Sequence, residues 1–263
     1  MPHPQAILFD LGDTLWDSEP LDRRRIFRLC ARRTYDPLIA AGHALPPFEH
    51  YFRLQFSLLR RAYLWSRLRG RDANGRDVLR RFCLKMNLPA DDEALSRLLW
   101  HWYQPRLERT TIHPGTIPAL HRLRDAGIKL AIVSNSLIPG AVLDRHLDLL
   151  GLLPFFPVRV YSSEVGHRKP RPRIFLTALR QLAVPAQNAA FVGDRPKTDI
   201  LGARRLGMST ILRTTRRASH PLADFTVREI ADLPALLPSL HRALTEAEPL
   251  YTNENEMQPT AIQ

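Results

Sequence analysis

The chain has 263 residues, 44% of them hydrophobic and 24% charged, an ordinary globular composition that excludes both a disordered polymer and a disulfide-stapled miniprotein. Its two cysteines, Cys30 and Cys83, lie far apart with no Cys-x-x-Cys or Cys/His spacing, so neither a redox pair nor a structural zinc site is signalled and a reducing cytoplasm is the expected compartment. The formal charge of +12 is uneven: residues 21–109 hold 19 basic and 9 acidic residues, a net +10, which reads as solvated helix faces or as a surface that steers an anionic substrate.

Met1 to Gln5 leads directly into the apolar run Ala6 to Phe9, without the basic start and long apolar stretch of a secretion signal. No run approaches the roughly 18 apolar residues of a membrane helix, so no membrane partner is expected. Ala6 to Asp10 has the pattern of a fully buried strand, a short apolar run closed by an acid and a turn residue. About 100 residues then pass without a comparable run. Within them Phe52, Phe56, Leu59 and Tyr63 recur at helical spacing, as do Leu58, Ala62 and Trp65, and Leu95, Leu98, Leu99, Trp102 and Tyr103. These stripes read as the core of a helical insertion, divided into about four helices at Pro46-Pro47, Gly70 to Gly75 and Pro89.

A helical stretch, Ile117 to Asp125, precedes a second strand run, Lys129 to Val133. A third run, Val158 to Tyr161, is followed by an amphipathic pattern over Ile174 to Leu182. A fourth, Ala189 to Val192, leads through Gly193-Asp194 into a helical segment Asp199 to Leu206, and Thr210 to Leu212 and Phe225 to Val227 continue the alternation. Strands separated by single helices imply an α/β fold, a doubly wound parallel sheet with helices on both faces and function at the strands' carboxyl ends. The polar tail, residues 246–263, is expected to be disordered.

Asp10, Ser134 and Asp194 stand at three strand ends, and Lys169 lies in the loop after the third strand. Singly, each has a plain structural explanation as a cap, a turn or a loop residue. In a parallel sheet all four converge on one edge. Two carboxylates, a hydroxyl and an ammonium together suit Mg2+ and a phosphoryl group, because a hard dication takes oxygen ligands and bridges to phosphate oxygens.

The segment ILFDLGDTL (Ile7 to Leu15) resembles the first motif of the haloacid dehalogenase superfamily, and IVSNS (Ile132 to Ser136) the second. Lys169-Pro170 with Ile174-Phe175 is similar to the third motif, and GDRPKTDILGARRLGM (Gly193 to Met208) to the fourth. The insertion between the first two motifs is similar to the helical cap of the subclass that includes many small-molecule phosphatases. The resemblance implies a Rossmann-like catalytic core from residues 1–16 and 113–245, with a helical cap at 17–112. Asp17 to Pro20 and Thr110 to Pro114 would be the hinges.

Carried over by motif, it implies a phosphatase in which Asp10 attacks phosphorus and forms an aspartyl-phosphate. Mg2+ would be held by Asp10, the Gly12 carbonyl and Asp194. Ser134 and Asn135 would bind the phosphoryl group with Lys169, and Asp199 would lie behind the metal or pair with Lys169. The expected partner is a small phosphorylated metabolite rather than a specific nucleic acid, and the chain is expected to be a monomer or homodimer. Gly12 departs from the phosphatase pattern, which places a general acid two residues after the nucleophile. On extended backbone the neighbouring Asp13 would point the other way, leaving Asp17, Glu19 or a cap residue as substitutes. A 2-haloacid dehalogenase, whose halide needs no proton, and a non-catalytic binding protein of the same fold are the alternatives; Gly193-Asp194 argues against the first, and the retention of Asp10, Ser134, Lys169 and Asp194 against the second.

Overall fold

The computed structural model describes residues 4–215 and 220–246, with side chains to residue 240 in the last helix. The chain opens with strand β1 (Ala6–Phe9) and a two-residue strand β2 (Asp17–Ser18). Four helices follow, α1 (Arg23–Ala40), α2 (Phe48–Arg69), α3 (Gly75–Lys85) and α4 (Asp92–Leu107), and then the short β3 (Thr110–Thr111). The remainder alternates: α5 (Thr116–Asp125), β4 (Lys129–Ser134), α6 (Gly140–Leu149), β5 (Val158–Tyr161), α7 (Ser162–Val165), α8 (Pro172–Leu182), β6 (Ala189–Gly193), α9 (Leu201–Arg204), β7 (Ser209–Arg213), β8 (Phe225–Val227) and α10 (Leu233–Glu246). Of the tail expected to be disordered, residues 247–263 lie outside the described residues, and Glu246 belongs to α10.

Six strands form one parallel sheet in the order β5-β4-β1-β6-β7-β8, with β1, the first strand of the chain, inside it. Both faces are covered, as expected of a doubly wound α/β fold. Ile7, Phe9, Leu130, Ile132, Ala190, Val192 and Ile211 point to one face, where Leu120 and Leu123 of α5 and Leu143 and Leu147 of α6 cover them. Their neighbours Leu8, Ala131, Val133 and Phe191 point to the other, against Ile174, Phe175 and Leu179 of α8. This two-residue alternation explains why the strands read as unbroken apolar runs: neither face meets water.

The insertion is helical, with an aromatic core. Tyr51 and Phe82 meet edge to face at 4.8 Å between centroids, Tyr35 packs on Tyr51 at 5.0 Å, and Tyr51 hydroxyl and Thr34 share a buried 2.8 Å hydrogen bond. No run comparable to β1 occurs in the segment, and at its two chain crossings Asp17 and Ser18 pair antiparallel with Thr111 and Thr110. Two expectations need correction. Trp65, placed in a core stripe, is 55% exposed with the Arg69 guanidinium 4.7 Å from its ring centroid, while its neighbour Ser66 takes the buried face of these turns. The helix expected over Asp199 to Leu206 is instead a wide helical turn, Pro196–Ile200, running into the short α9. Pro196 starts that turn, and Asp199 fixes it by accepting the Arg195 amide at 3.0 Å.

Candidate active site

Register places the strand-end residues before any side chain is considered. Phe9 pairs with Ile132 on one side and Val192 on the other, so Ser134 and Asp194 each stand one residue beyond the level of Asp10, on either flank of β1. Asp10 closes β1 by donating its amide to the Val192 carbonyl at 2.9 Å. Lys169 arrives from the loop between α7 and α8, and its side chain is 1% exposed.

The Lys169 ammonium donates to Asp10 Oδ1 at 2.8 Å and lies 2.9 Å from Asp199 Oδ1. Burial works against its charge, but Asp10 and Asp199 outweigh burial and raise its pKa, so it stands as an ammonium. Burial pushes the Asp199 carboxyl up, against the pull of Lys169 and the Arg195 amide. Of the two roles expected for Asp199, the geometry displays the pairing with Lys169.

Asp194 is the unfinished part of this cluster. Among the described residues its Oδ1 is buried without a hydrogen-bond partner, and its Oδ2 lies 3.6 Å from Arg195 Nε. Burial first, and then the charges of Asp10 and Asp199, push its pKa up to about 7. Asp10, Asp194 and Asp199 each bring an oxygen within 4.8 Å of the others. An all-oxygen donor set, an excess of carboxylate over ammonium and an orphaned buried oxygen fit a divalent cation.

Asn135, expected to bind the phosphoryl group, also holds Lys169. Its side-chain amide donates to the Lys169 carbonyl at 3.0 Å while its Oδ1 accepts the Lys169 amide at 2.8 Å, so the side chain clamps the Lys169 backbone. Gly12 is half-buried and does not have positive φ; that conformation falls on Asp13, at φ 58°. The backbone there is not extended, so the alternation invoked against Asp13 does not apply, and its charge is felt at both Asp194 and Arg195. Asp17 is engaged elsewhere: buried Arg213 binds its carboxylate through both terminal nitrogens, Nη2 to Oδ2 at 2.8 Å, and also donates to the Asp13 carbonyl at 3.1 Å. Glu19 lies 3.6 Å from Arg109 Nε.

Sequence reasoning missed the polar ring outside this cluster. Asp72, in the loop between α2 and α3, has a side chain only 2% exposed and pairs with Arg168, the residue before Lys169, at 2.7 Å. No motif marks Asp72; the signal available was its position as the one acidic residue in 50–76.

A family model described as haloacid dehalogenase-like hydrolase matches residues 4–207. A glyceraldehyde 3-phosphate phosphatase of Methanopyrus kandleri is 31% identical over 88% of this chain and 91% of its own. Among solved structures, a 2-haloacid dehalogenase from Pseudomonas syringae pv. tomato superposes with TM-score 0.62 at 27% identity, over 89% of this chain and 98% of that one. A HAD phosphatase from Thermococcus onnurineus has the same fold, with TM-score 0.59 at 24% identity over 89% and 97%.

Proposed function

The chain belongs to the haloacid dehalogenase-like hydrolases, and from that premise we propose that it is a Mg2+-dependent phosphatase of a small phosphorylated metabolite, acting through an aspartyl-phosphate on Asp10. The observation that carries this reading is the buried Asp194 Oδ1, without a partner among the described residues, beside Asp10 and Asp199. A halide-displacing enzyme has no use for a second buried carboxylate at that point. A site that must collect a phosphoryl dianion beside a carboxylate does, because a cation has to offset the repulsion. When bound, Mg2+ held by Asp10, the Gly12 carbonyl and Asp194 would supply that neutralisation.

In the chemical step the Asp10 carboxylate forms a bond to phosphorus as the ester P–O bond breaks, and water then cleaves the acyl phosphate to regenerate the acid. Lys169 holds negative charge on the phosphoryl oxygens and keeps Asp10 in place through its 2.8 Å hydrogen bond. Asp199 and Asn135 hold Lys169, one by its ammonium and the other by its backbone. Ser134, buried at the end of β4, donates to a phosphoryl oxygen. Helices α1–α4 act as a cap that excludes water, turning on the β2–β3 crossings. The net +10 of residues 21–109 favours an anionic substrate.

The similarity to glyceraldehyde 3-phosphate phosphatases makes triose phosphates the first compounds to test. A screen of phosphorylated metabolites with Mg2+, reading phosphate release, should find turnover that EDTA abolishes. Absence of turnover across the panel, with chloride release from a 2-haloacid, would instead establish the dehalogenase reading.

A further inference from the structure

The loop joining α2 to α3 is seated on the core by a series of bonds that converge on one carboxylate. Gly75 donates its amide to the Leu137 carbonyl at 2.8 Å, and a Cβ at Gly75 would come within 2.3 Å of that oxygen, so the close approach requires glycine. Arg71 Nε donates to the Gly166 carbonyl at 3.0 Å, and Arg168 donates its amide to the Gly70 carbonyl at 3.3 Å. At the centre, Asp72 accepts from Arg168 Nη1 through one oxygen and from the Ser162 hydroxyl through the other. Ser162 Oγ in turn accepts the Ser136 amide at 2.9 Å.

The choice of partner is informative. Residues 50–76 contain seven arginines and a single acid, Asp72, yet its carboxylate pairs with none of those seven; it is buried against the core. A surface acid among arginines needs no burial, and burying it is costly unless it is paired and hydrogen-bonded. Here both oxygens are satisfied by core residues adjacent to the site. Arg168 precedes Lys169, and Ser136 follows Ser134 by two residues. One carboxylate from the insertion therefore grips the Arg168–Lys169 segment directly and the Ser134–Ser136 segment through the Ser162 hydroxyl.

We propose that Asp72 is a positioning residue: seated, it holds the Ser134–Ser136 and Arg168–Lys169 segments in mutual register, so that the site is competent only while the α2–α3 loop is docked. The kinetic part of this inference rests on the phosphatase reading; the coupling of the two segments does not.

The test uses the full chain with Asp72→Asn, Arg168→Gln and the double variant, followed by hydrogen exchange and by turnover of p-nitrophenyl phosphate with Mg2+. Asp72→Asn should speed exchange in 134–138 and 162–169 together with 70–75, leaving β1 and β6 as in the wild type. It should lower kcat by about tenfold or more while KM changes by less than about threefold, since the lost interaction positions groups rather than binding the leaving group. The double variant should be no slower than the slower single variant, because either change breaks the same pair. If Asp72→Asn does not fold, Arg168→Gln removes the pair from the core side and carries the same expectations. Faster exchange confined to 70–75, kcat within about twofold of the wild type, or additive losses in the double variant would overturn the proposal. A folded wild type without turnover of either p-nitrophenyl phosphate or the metabolite panel would sink the phosphatase reading, and exchange alone would then decide the coupling.

Discussion

Replacing Gly12 with Asp supplies the carboxylate that the phosphatase pattern places two residues after the nucleophile. The structure sets the steric cost low. Gly12 does not use positive φ, and an added Cβ would meet only Trp16 Nε1, at 3.8 Å, which is ordinary contact. The tight conformation of this loop falls on Asp13 instead, so neither the backbone nor a Cβ at residue 12 is strained. Against that small cost stands general acid-base catalysis, worth about 10^2 to 10^4 in rate where the leaving group needs a proton. Nitrophenolate leaves without one; an alkoxide does not. Gly12→Asp should therefore raise kcat/KM for an alkyl phosphate by about 10^2 or more and alter that for p-nitrophenyl phosphate far less, with an unchanged Tm. Initial rates on the two substrates with Mg2+, with thermal unfolding alongside, measure the ratio directly. A folded Gly12→Asp protein with an unchanged ratio would refute the reasoning and identify a resident acid. Asp13 is then the first residue to replace, because Asp17 is held by Arg213.

Gly193→Ala would place a Cβ 2.6 Å from Asp199 Cβ and 2.7 Å from its Oδ2, against a side chain held by Lys169 and the Arg195 amide; the expected result is a stability loss of about 1–3 kcal/mol with a disproportionate loss of turnover, read by thermal melting and initial rates. His146 is buried beneath Trp16 with Nδ1 on the Tyr103 hydroxyl at 2.8 Å, and burial, aided by Arg106, lowers its pKa to about 4. The folded state thus prefers the neutral ring: its contribution is full above the unfolded value of about 6.5 and is lost as pH falls from there toward 4, by up to about 3 kcal/mol. Urea midpoints for the wild type and His146→Gln should diverge in slope over that window, and parallel curves would count against a depressed histidine.

The strand ends were legible because β1, β4 past Lys129, and β6 are buried on both faces and stop at a polar residue: Phe9 before Asp10, Val133 before Ser134, Val192 before Gly193-Asp194. What the chain order could not convey was long-range support. Helix α6 starts at a glycine, a poor helix former, and its first amide is met by Glu164, which is 24 residues away. α10 carries Pro238 within it, which obscures a helical pattern. That the Asn135 side chain also clamps the Lys169 backbone shows only once Lys169 is in place. Asp72 looks like one more solvated acid until the Gly70–Gly75 loop is placed on the core. Asp13 was misjudged for a local reason, since its left-handed backbone is invisible to an argument built on extended geometry.

The central claim is that Asp10 is the nucleophile of a metal-dependent phosphoryl transfer. It is tested most directly by phosphate release from p-nitrophenyl phosphate for the wild type and Asp10→Asn, each with Mg2+ and with EDTA. The amide is nearly isosteric with the carboxylate but a poor nucleophile, so the account predicts turnover only for the wild type with Mg2+, both proteins remaining folded. Undiminished turnover by Asp10→Asn, or full wild-type activity in EDTA, would contradict it.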